Sequence, residues 1–227
     1  MKKERAVASS KGKKFNLFKL AWLSGLLLVL FMILMSLVSS IFGGNMNLQS
    51  GLSMAENIIL NLLEIFFIIG FYYLGKKYNS TLLKVISILI IIFIILCFLS
   101  TITVLSPIIL NMTNIVISTA SDLGINPAIA TTEQQQLIGA TLLENTTFVS
   151  LLFAIISLFI IYVVLFGILS ILLGVGLLRV RKNVRYAKTA GILEIVGGAT
   201  SIILIGFLVI AVAFIFEFII FRNESKN

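Results

Sequence analysis

The stretch that decides the fold is Phe18–Phe42, with the sequence FKLAWLSGLLLVLFMILMSLVSSIF. It is 25 residues long, and Lys19 is its one charged residue. A helix needs about 20 apolar residues to cross the hydrocarbon core of a bilayer, whereas the apolar part of a signal peptide has roughly 7–15 residues. The stretch therefore predicts a retained transmembrane helix rather than a cleaved leader.

Further apolar runs repeat this pattern along the chain. The sequence is 59% hydrophobic and 11% charged, with a mean hydropathy of +1.16, whereas a soluble domain averages about 45–50% apolar and about 25% charged residues. We therefore predict an all-α, polytopic integral membrane helical bundle that forms one transmembrane domain over residues 1–227. The predicted spans cover residues 18–42, 57–75, 84–110, 148–178, 190–205 and 207–221.

The last apolar stretch, Ile192–Phe221, leaves two span counts open. Its 30 residues would form a helix of about 45 Å at 1.5 Å per residue, which is long for one upright crossing and short for two. One tilted helix gives five transmembrane helices in all. A hairpin that turns near Ile205–Gly206–Phe207 gives six, and Gly197 and Gly198 offer further places for a bend.

The basic residues predict the orientation of the chain. They cluster in a basic tail at residues 1–17 and after the second and fourth spans, whereas residues 43–57 and 111–147 contain none. Cytoplasmic loops carry the excess of lysine and arginine. We therefore expect a protein of the cell membrane with a cytoplasmic amino terminus and an external loop at residues 111–147. Six spans place all 17 basic residues inside, and five leave Arg222 and Lys226 outside, which favours six.

The net charge of +8 is explained by this orientation, so we expect no nucleic-acid partner. The lipid bilayer is the expected partner. The basic tail could also hold anionic lipid headgroups, to which each nearby lysine or arginine contributes about 1 kcal/mol. Fixing the topology is the simpler interpretation of these charges.

The external loop contains a predicted helix and two acceptor motifs for glycosylation. Thr131 and Thr132 precede Glu133, Gln134 and Gln135 with the spacing of a capping box, which predicts a short helix over residues 133–143. Asn126–Pro127 is expected to break the chain before it. The motifs Asn-Met-Thr at Asn111 and Asn-Thr-Thr at Asn145 predict two possible glycan sites. Chance occurrence in a loop rich in Ser, Thr and Asn is the alternative.

Two blocks of the sequence resemble blocks of a known protein family. Lys188-Thr189-Ala190-Gly191-Ile192-Leu193, with Ile203-Leu204-Ile205-Gly206-Phe207-Leu208 and Ala213-Phe214 after it, resembles the carboxy-terminal block of domain-of-unknown-function 996, a mainly archaeal multi-pass membrane family. Tyr72–Asn79 is similar to an earlier block of that family. This chain lacks the aspartate that often follows the tyrosine there, and its external loop is longer. The resemblance implies a hairpin in the last stretch and no site residues, because the family has no assigned activity.

Several chemistries are excluded by residue content. Histidine is absent and Cys97 is the one cysteine, so Cys₂His₂ zinc sites, Ser-His-Asp triads, Cys-His dyads and histidine-ligated haem cannot form. Walker A, dinucleotide-binding, HExxH and EF-hand motifs are absent from the sequence. We therefore expect a protein that is not an enzyme, with no metal site and no cofactor.

The second span carries the best candidate site. Glu64 lies near its middle, seven residues after Asn57 and three after Asn61, so the three side chains share one helix face. An ionisable group at bilayer depth costs about 2.5–3.5 kcal/mol on insertion scales and is a functional candidate by default. The pattern predicts an ion or proton path. The alternative is a neutral carboxyl that serves helix packing alone.

Other polar and small residues in the spans are expected to be structural. Glu194 is expected to form an interfacial ion pair with Arg185 or Lys188, and Glu217 to reach the membrane interface. Small residues at close helical spacing, which let helix backbones approach, predict packing inside the bundle. They are Gly167, Ser170 and Gly174 in the fourth span and Gly197 and Ser201 in the last stretch.

These observations favour a multi-pass membrane protein without enzymatic activity. One alternative is a small transporter or channel in which the membrane-embedded carboxylate of Glu64 lines the path. Another is a membrane scaffold or assembly protein that binds a partner through residues 111–147. The sequence specifies neither a substrate, nor a protein partner, nor a homo-oligomer.

Overall fold

The computed structural model describes residues 16–42, 46–127, 129–203 and 205–226. These residues form helices and connecting turns, without a β-strand among them. The helices are α1 (Leu17–Phe42), α2 (Met46–Lys77), α3 (Thr81–Ser100), α4 (Ser106–Asp122), α5 (Thr132–Glu144), α6 (Thr146–Val180), α7 (Ala187–Thr200) and α8 (Ile205–Glu224). Within these described ranges, five helical segments are long and apolar enough to cross a membrane. The predicted all-α polytopic bundle is confirmed.

Six of the helices form a closed ring. Along the chain, α1 packs on α2, α2 on α3, α3 on α6, α6 on α7 and α7 on α8, and α8 returns to α1. Helices α4 and α5 are not part of this ring. Helix α5 packs on α4 and α6 at one end of the bundle. The ring encloses the space in which the candidate site lies.

The outer surface of the ring is apolar. Leu30 of α1, Phe159 of α6 and Leu208 of α8 are 53%, 54% and 71% exposed, and many other large apolar side chains on these helices are exposed as well. Soluble proteins rarely expose apolar surface on this scale. A bilayer covers such a surface, and helices satisfy their backbone polar groups internally, as a lipid environment requires.

The last apolar stretch forms a hairpin. Helix α7 ends at Thr200, a 3₁₀ turn covers Ser201–Ile203, and α8 packs back on α7. The predicted single tilted helix is therefore wrong. The hairpin was predicted to turn near Ile205–Gly206–Phe207, but its turn comes earlier, at Ser201–Ile203. The prediction of six full spans is also wrong, because α7 is too short to be one of them. With 14 residues, α7 is about 21 Å long, which is short of a full crossing.

The third span is longer than the predicted 84–110. A continuous helical segment runs from Thr81 to Asp122, with a π-turn at Thr101–Leu105 between α3 and α4. The N–H of Ser106 bonds to the carbonyl of Thr101, five residues back. This wider turn accommodates Pro107, which lacks an N–H and would otherwise break the helix.

The predicted external loop 111–147 is therefore mostly helical. Its first part continues α4, and the short helix predicted at residues 133–143 is confirmed as α5. The capping box is confirmed too. The N–H of Gln134 donates to the Thr131 hydroxyl at 3.4 Å, and the N–H of Thr131 donates to the Gln134 side chain at 2.9 Å. The non-helical described residues of the loop lie between Leu123 and Thr131, where Gly124 has a φ of +70°, and at Asn145 between α5 and α6.

The described part of the chain begins and ends at one end of the bundle, which we call the basic end. Asn16 donates to the carbonyl of Ser225 at 2.8 Å, and the Lys77 ammonium lies 2.7 Å from the Glu224 carboxylate. Tyr78 also donates to Glu224, and burial together with this carboxylate raises the pKa of the Tyr78 phenol. The described basic residues lie in the segments that meet here: Lys19, Lys76, Lys77, Lys84, Arg179, Arg181, Lys182, Arg185, Lys188, Arg222 and Lys226.

This arrangement agrees with the predicted clustering of charge, because Arg222 and Lys226 join the other basic residues through the hairpin. Most of the basic tail, residues 1–15, lies outside the described part of the chain, and so does the lipid-headgroup contact predicted for it. A buried cluster that includes Phe71, Leu177 and Phe221 fills the ring next to the basic end. The interior is therefore closed on that side.

Candidate functional site

A cavity of about 350 Å³ lies inside the ring, beyond the buried cluster. All six ring helices contribute to its wall. Among the described residues its polar lining comes from Asn61, Glu64, Ser170, Glu194 and Glu217. Its aromatic lining comes from Phe67, Phe93, Phe166 and Phe214. We call this space the central cavity.

The position of Glu194 follows from two facing stripes of small residues. A Cβ atom on Gly198 would lie 2.5 Å from the carbonyl oxygen of Gly167, and one on Gly191 would lie 2.7 Å from that of Gly174. Glycine is therefore needed at both crossings of α6 and α7, which confirms the predicted packing inside the bundle. Glu194 lies between Gly191 and Gly198 on the same face of α7, so it is held against α6.

Ser170 of α6 is the partner of Glu194. It lies between Gly167 and Gly174 in the opposing stripe, and its hydroxyl donates to the Glu194 carboxyl group and also approaches the Glu194 carbonyl oxygen at 3.1 Å. Both residues are nearly inaccessible, at 4% and 3% exposure. The carboxyl group is thus fixed within the bundle and does not reach the interface.

Glu217 of α8 completes a carboxyl pair. Its side chain is 3% exposed and lines the same cavity as Glu194. Two ionised carboxylates only accept hydrogen bonds, so a bond between them requires a proton on at least one of them. A direct contact between these two carboxyl groups would therefore place a shared proton between them.

The predicted roles of Glu194 and Glu217 are wrong. The ion pair expected between Glu194 and Arg185 or Lys188 is not formed, and Lys77–Glu224 is the salt bridge found in the described part of the chain. Glu217 turns inward because α8 packs on α7 within the hairpin. The signal that could have located Glu194 is its placement three residues after Gly191 and four before Gly198.

One oxygen of this pair is unsatisfied. Oε1 of Glu217 is buried and has no hydrogen-bond partner among the described residues. A buried polar group without a partner costs about 1–3 kcal/mol, and more for a charged group. Such a group is uncommon in a folded protein, and this one belongs to a residue that lines the central cavity.

The predicted site residues Glu64, Asn61 and Asn57 divide between two cavities. Glu64 and Asn61 line the central cavity, and Asn57 and Asn61 line a second one of about 610 Å³. The side-chain amide of Asn61 donates a hydrogen bond of 2.6 Å to the backbone carbonyl of Asn57, which agrees with the predicted common helix face. The Glu64 side chain is accessible, unlike the buried pair.

The second cavity, which we call the polar cavity, lies toward the end of the bundle opposite the basic end. Asn57 lies 20 residues before Lys77 on α2, a distance of about 30 Å along the helix. Hydroxyl groups of Thr101, Ser106 and Thr113 line the polar cavity around the π-turn. Each donates to a carbonyl of its own helical segment at 2.9 Å, so its oxygen can still accept a hydrogen bond.

The two cavities meet. Asn61 of α2 and Cys97 of α3 line both of them. Polar groups thus follow one another from the polar cavity, through Asn61, to Glu64 and the carboxyl pair. The buried cluster at the basic end stops this line of polar groups before it reaches the opposite surface.

The predicted glycan sites lie in different surroundings. Asn111 is exposed on helix α4 rather than in a loop. Asn145 lies between α5 and α6, and its side chain caps α6 by accepting from the N–H of Phe148 at 3.0 Å. Use of either site stays a prediction. Within the described ranges, no group of three or more Cys, Asp or Glu side chains is placed to hold a metal ion.

Comparison of the chain with protein-family models, with curated proteins and with solved structures gives no match. The resemblance to domain-of-unknown-function 996 stays a prediction. The fold and the site define the class of the protein: a polytopic helical bundle of the membrane type, whose interior holds carboxyl groups.

Proposed function

We propose that this chain is a non-enzymatic carrier of the cell membrane that moves protons or cations through its helix ring. The observation that carries the proposal is the placement of three carboxyl groups, Glu64, Glu194 and Glu217, from three different helices around one cavity. Each carboxyl at bilayer depth costs about 2.5–3.5 kcal/mol on insertion scales. Helix packing alone gives no reason to gather three of them.

The connection between the cavities supports a path with one closed end. Protons or cations enter through the polar cavity, pass Asn61 and reach Glu64 and the pair. The basic end is cytoplasmic by the positive-inside rule, which makes the amino terminus cytoplasmic and the polar cavity external. The ion pair of Lys77 with Glu224 and the buried cluster then form the inner closure, which opens in the other half of a transport cycle.

Replacement of Glu64 by glutamine tests the proposal. Liposomes that contain the purified protein and an internal pH-sensitive dye are exposed to an acid pulse, with valinomycin and K⁺ to remove the membrane potential. The wild-type protein is expected to acidify the interior faster than protein-free liposomes do. Glu64→Gln is expected to reduce the rate to the protein-free level, because the amide cannot bind and release the proton.

The matched control is Glu133→Gln, which removes an exposed carboxyl from the start of α5. This variant is expected to keep the wild-type rate. Equal rates for the wild type and Glu64→Gln would contradict a path through Glu64.

A scaffold or assembly role is the second candidate, and the end of the bundle that carries α5 favours it. Ile129, Leu137 and Leu143 are 79%, 51% and 67% exposed there, on the segment predicted to lie outside the membrane. A partner protein would cover these side chains. This role is supported if liposomes with the wild-type protein acidify no faster than protein-free liposomes.

A further inference from the structure

The central cavity has the dimensions and lining of a small-molecule site. Its volume of about 350 Å³ is at the lower end of the range of roughly 300–1,000 Å³ that is typical of ligand pockets. Four phenylalanine rings, from Phe67, Phe93, Phe166 and Phe214, share the wall with a small number of polar groups. An apolar wall with few convergent polar groups is the usual pattern of such sites.

The charge of this lining is of one sign. Three carboxyl groups line the central cavity, and its described lining includes no lysine or arginine. Each of these carboxyl groups that ionises adds a negative charge, and no described group of the lining can add a positive one. The complement of this cavity is therefore a cation.

A residue of the cavity wall carries a carboxylate oxygen that has no partner among the described residues. Glu217 Oε1 is buried, lacks a partner among the described residues, and belongs to a side chain that is 97% inaccessible and lines the cavity. A positively charged ligand in the central cavity would satisfy this oxygen. This observation is independent of the count of acidic residues.

The wall distinguishes an organic cation from a bare metal ion. Ca²⁺ takes 6–8 oxygen ligands and Mg²⁺ needs near-ideal octahedral coordination, whereas most of the residues around this cavity present carbon atoms. Phenylalanine rings attract cations through their π faces and also pack against apolar groups. A quaternary or protonated ammonium group on an apolar body matches both parts of the lining.

We propose that the central cavity binds a monovalent, amphipathic organic cation, whose charged group lies at Glu217 and Glu194 and whose apolar body packs among the phenylalanine rings. The inference rests on the proposed function for its meaning in transport, since the cation would be a cargo carried through the same cavity as the proton. Binding itself can be measured without any transport.

Cation and proton compete for the same oxygens. The charged or titratable groups that face the site are Glu64 of α2, Cys97 of α3, Glu194 of α7 and Glu217 of α8. Helix α1 contributes Leu28 to the cavity wall, and α6 contributes a group that includes Ser170. Neither contribution includes a titratable side chain among the described residues. A proton on the carboxyl group that faces the cation removes its negative charge, so acidification weakens binding by up to about tenfold per pH unit for one proton.

Benzyltrimethylammonium is a suitable probe, and 2,2-dimethylpropylbenzene is its neutral isostere, with carbon in place of the charged nitrogen. Calorimetry on the purified full-length protein in detergent measures the dissociation constant of each. The wild type is expected to bind the cation at one site, to bind it more weakly at lower pH, and to bind the isostere at least tenfold more weakly. Glu133→Gln is expected to match the wild type.

Two variants test the lining separately. Glu217→Gln is expected to weaken cation binding at least tenfold and to remove most of its pH dependence. Phe93→Leu keeps an apolar side chain at a half-buried position and is expected to weaken binding about two- to tenfold through loss of the ring. If Glu217→Gln does not fold, cation binding by Phe93→Leu still tests the site.

Three results would overturn the cation site: no binding by the wild type, equal binding of the neutral isostere, or unchanged binding in both variants. Proton flux that depends on Glu64, in a protein that does not bind the probe, would overturn the cation site and leave the carrier intact. Binding with the expected charge and pH dependence but without flux would support the site and contradict the carrier.

Discussion

Glu217→Gln is expected to abolish proton movement while the bundle stays folded. The amide of glutamine has nearly the shape of the carboxyl group and can donate a hydrogen bond to Glu194, so the contact between α7 and α8 is retained. It cannot take up or release a proton at physiological pH. The acidification rate of liposomes with this variant should equal that of protein-free liposomes.

The double variant Glu194→Gln with Glu217→Gln sharpens this expectation. Two carboxyl groups that share a proton act as a unit, so on this account removing both should cost no more flux than removing one. A Glu217→Gln protein that keeps the wild-type rate would contradict the role of the pair. Unchanged circular dichroism and elution volume in detergent are the controls for folding.

A pattern of thiol labelling is the second large effect that we expect. In a cysteine-free Cys97→Ser background, single cysteines replace Thr113 in the polar cavity, Ser225 at the basic end and Leu34 on α1, which is 55% exposed. Intact cells are treated with a membrane-impermeant maleimide, before and after permeabilisation.

Thr113→Cys should react in intact cells, because water reaches the polar cavity from outside. Ser225→Cys should react only after permeabilisation, because the positive-inside rule places the basic end in the cytoplasm. Leu34→Cys should react in neither case, because lipid covers it and the reactive thiolate does not form there. Labelling of Ser225→Cys in intact cells would reverse the orientation, and labelling of Leu34→Cys would contradict its burial in lipid.

The sequence was sufficient to predict the fold class, because the mean hydropathy of a long segment depends only on the composition and length of that segment. The run Phe18–Phe42 and α1 (Leu17–Phe42) differ by one residue at the start. Local capping chemistry was equally readable, since the Thr131 and Gln134 bonds lie within one turn. Features that depend on residues close in sequence were therefore predictable.

Sequence failed at one local irregularity of the backbone and where contacts between distant helices decide the outcome. The extension of the third span past Leu110 depends on a π-turn that accommodates Pro107, and propensity alone favours a break there. The inward placement of Glu194 and Glu217 depends on how α6, α7 and α8 pack. Proximity along the chain to Arg185, Lys188 and Arg222 indicated the interface instead.

The candidate site was only partly predictable for the same reason. Glu64, Asn61 and Asn57 share a face of one helix, so helical spacing was enough to group them. Glu194 lies 130 residues after Glu64, and only the closed ring brings the two to one cavity. The Gly191 and Gly198 pattern was the single local sign that Glu194 faces another helix.

The central proposal is that Glu194 and Glu217 share a proton, and infrared difference spectroscopy tests it most directly. Spectra of the protein in lipid films at neutral pH are compared between the wild type and Glu217→Gln, with Glu133→Gln as the control. The wild type should show a protonated-carboxyl absorption that shifts in D₂O and is missing from Glu217→Gln. Identical carboxyl regions in these two spectra would contradict the claim.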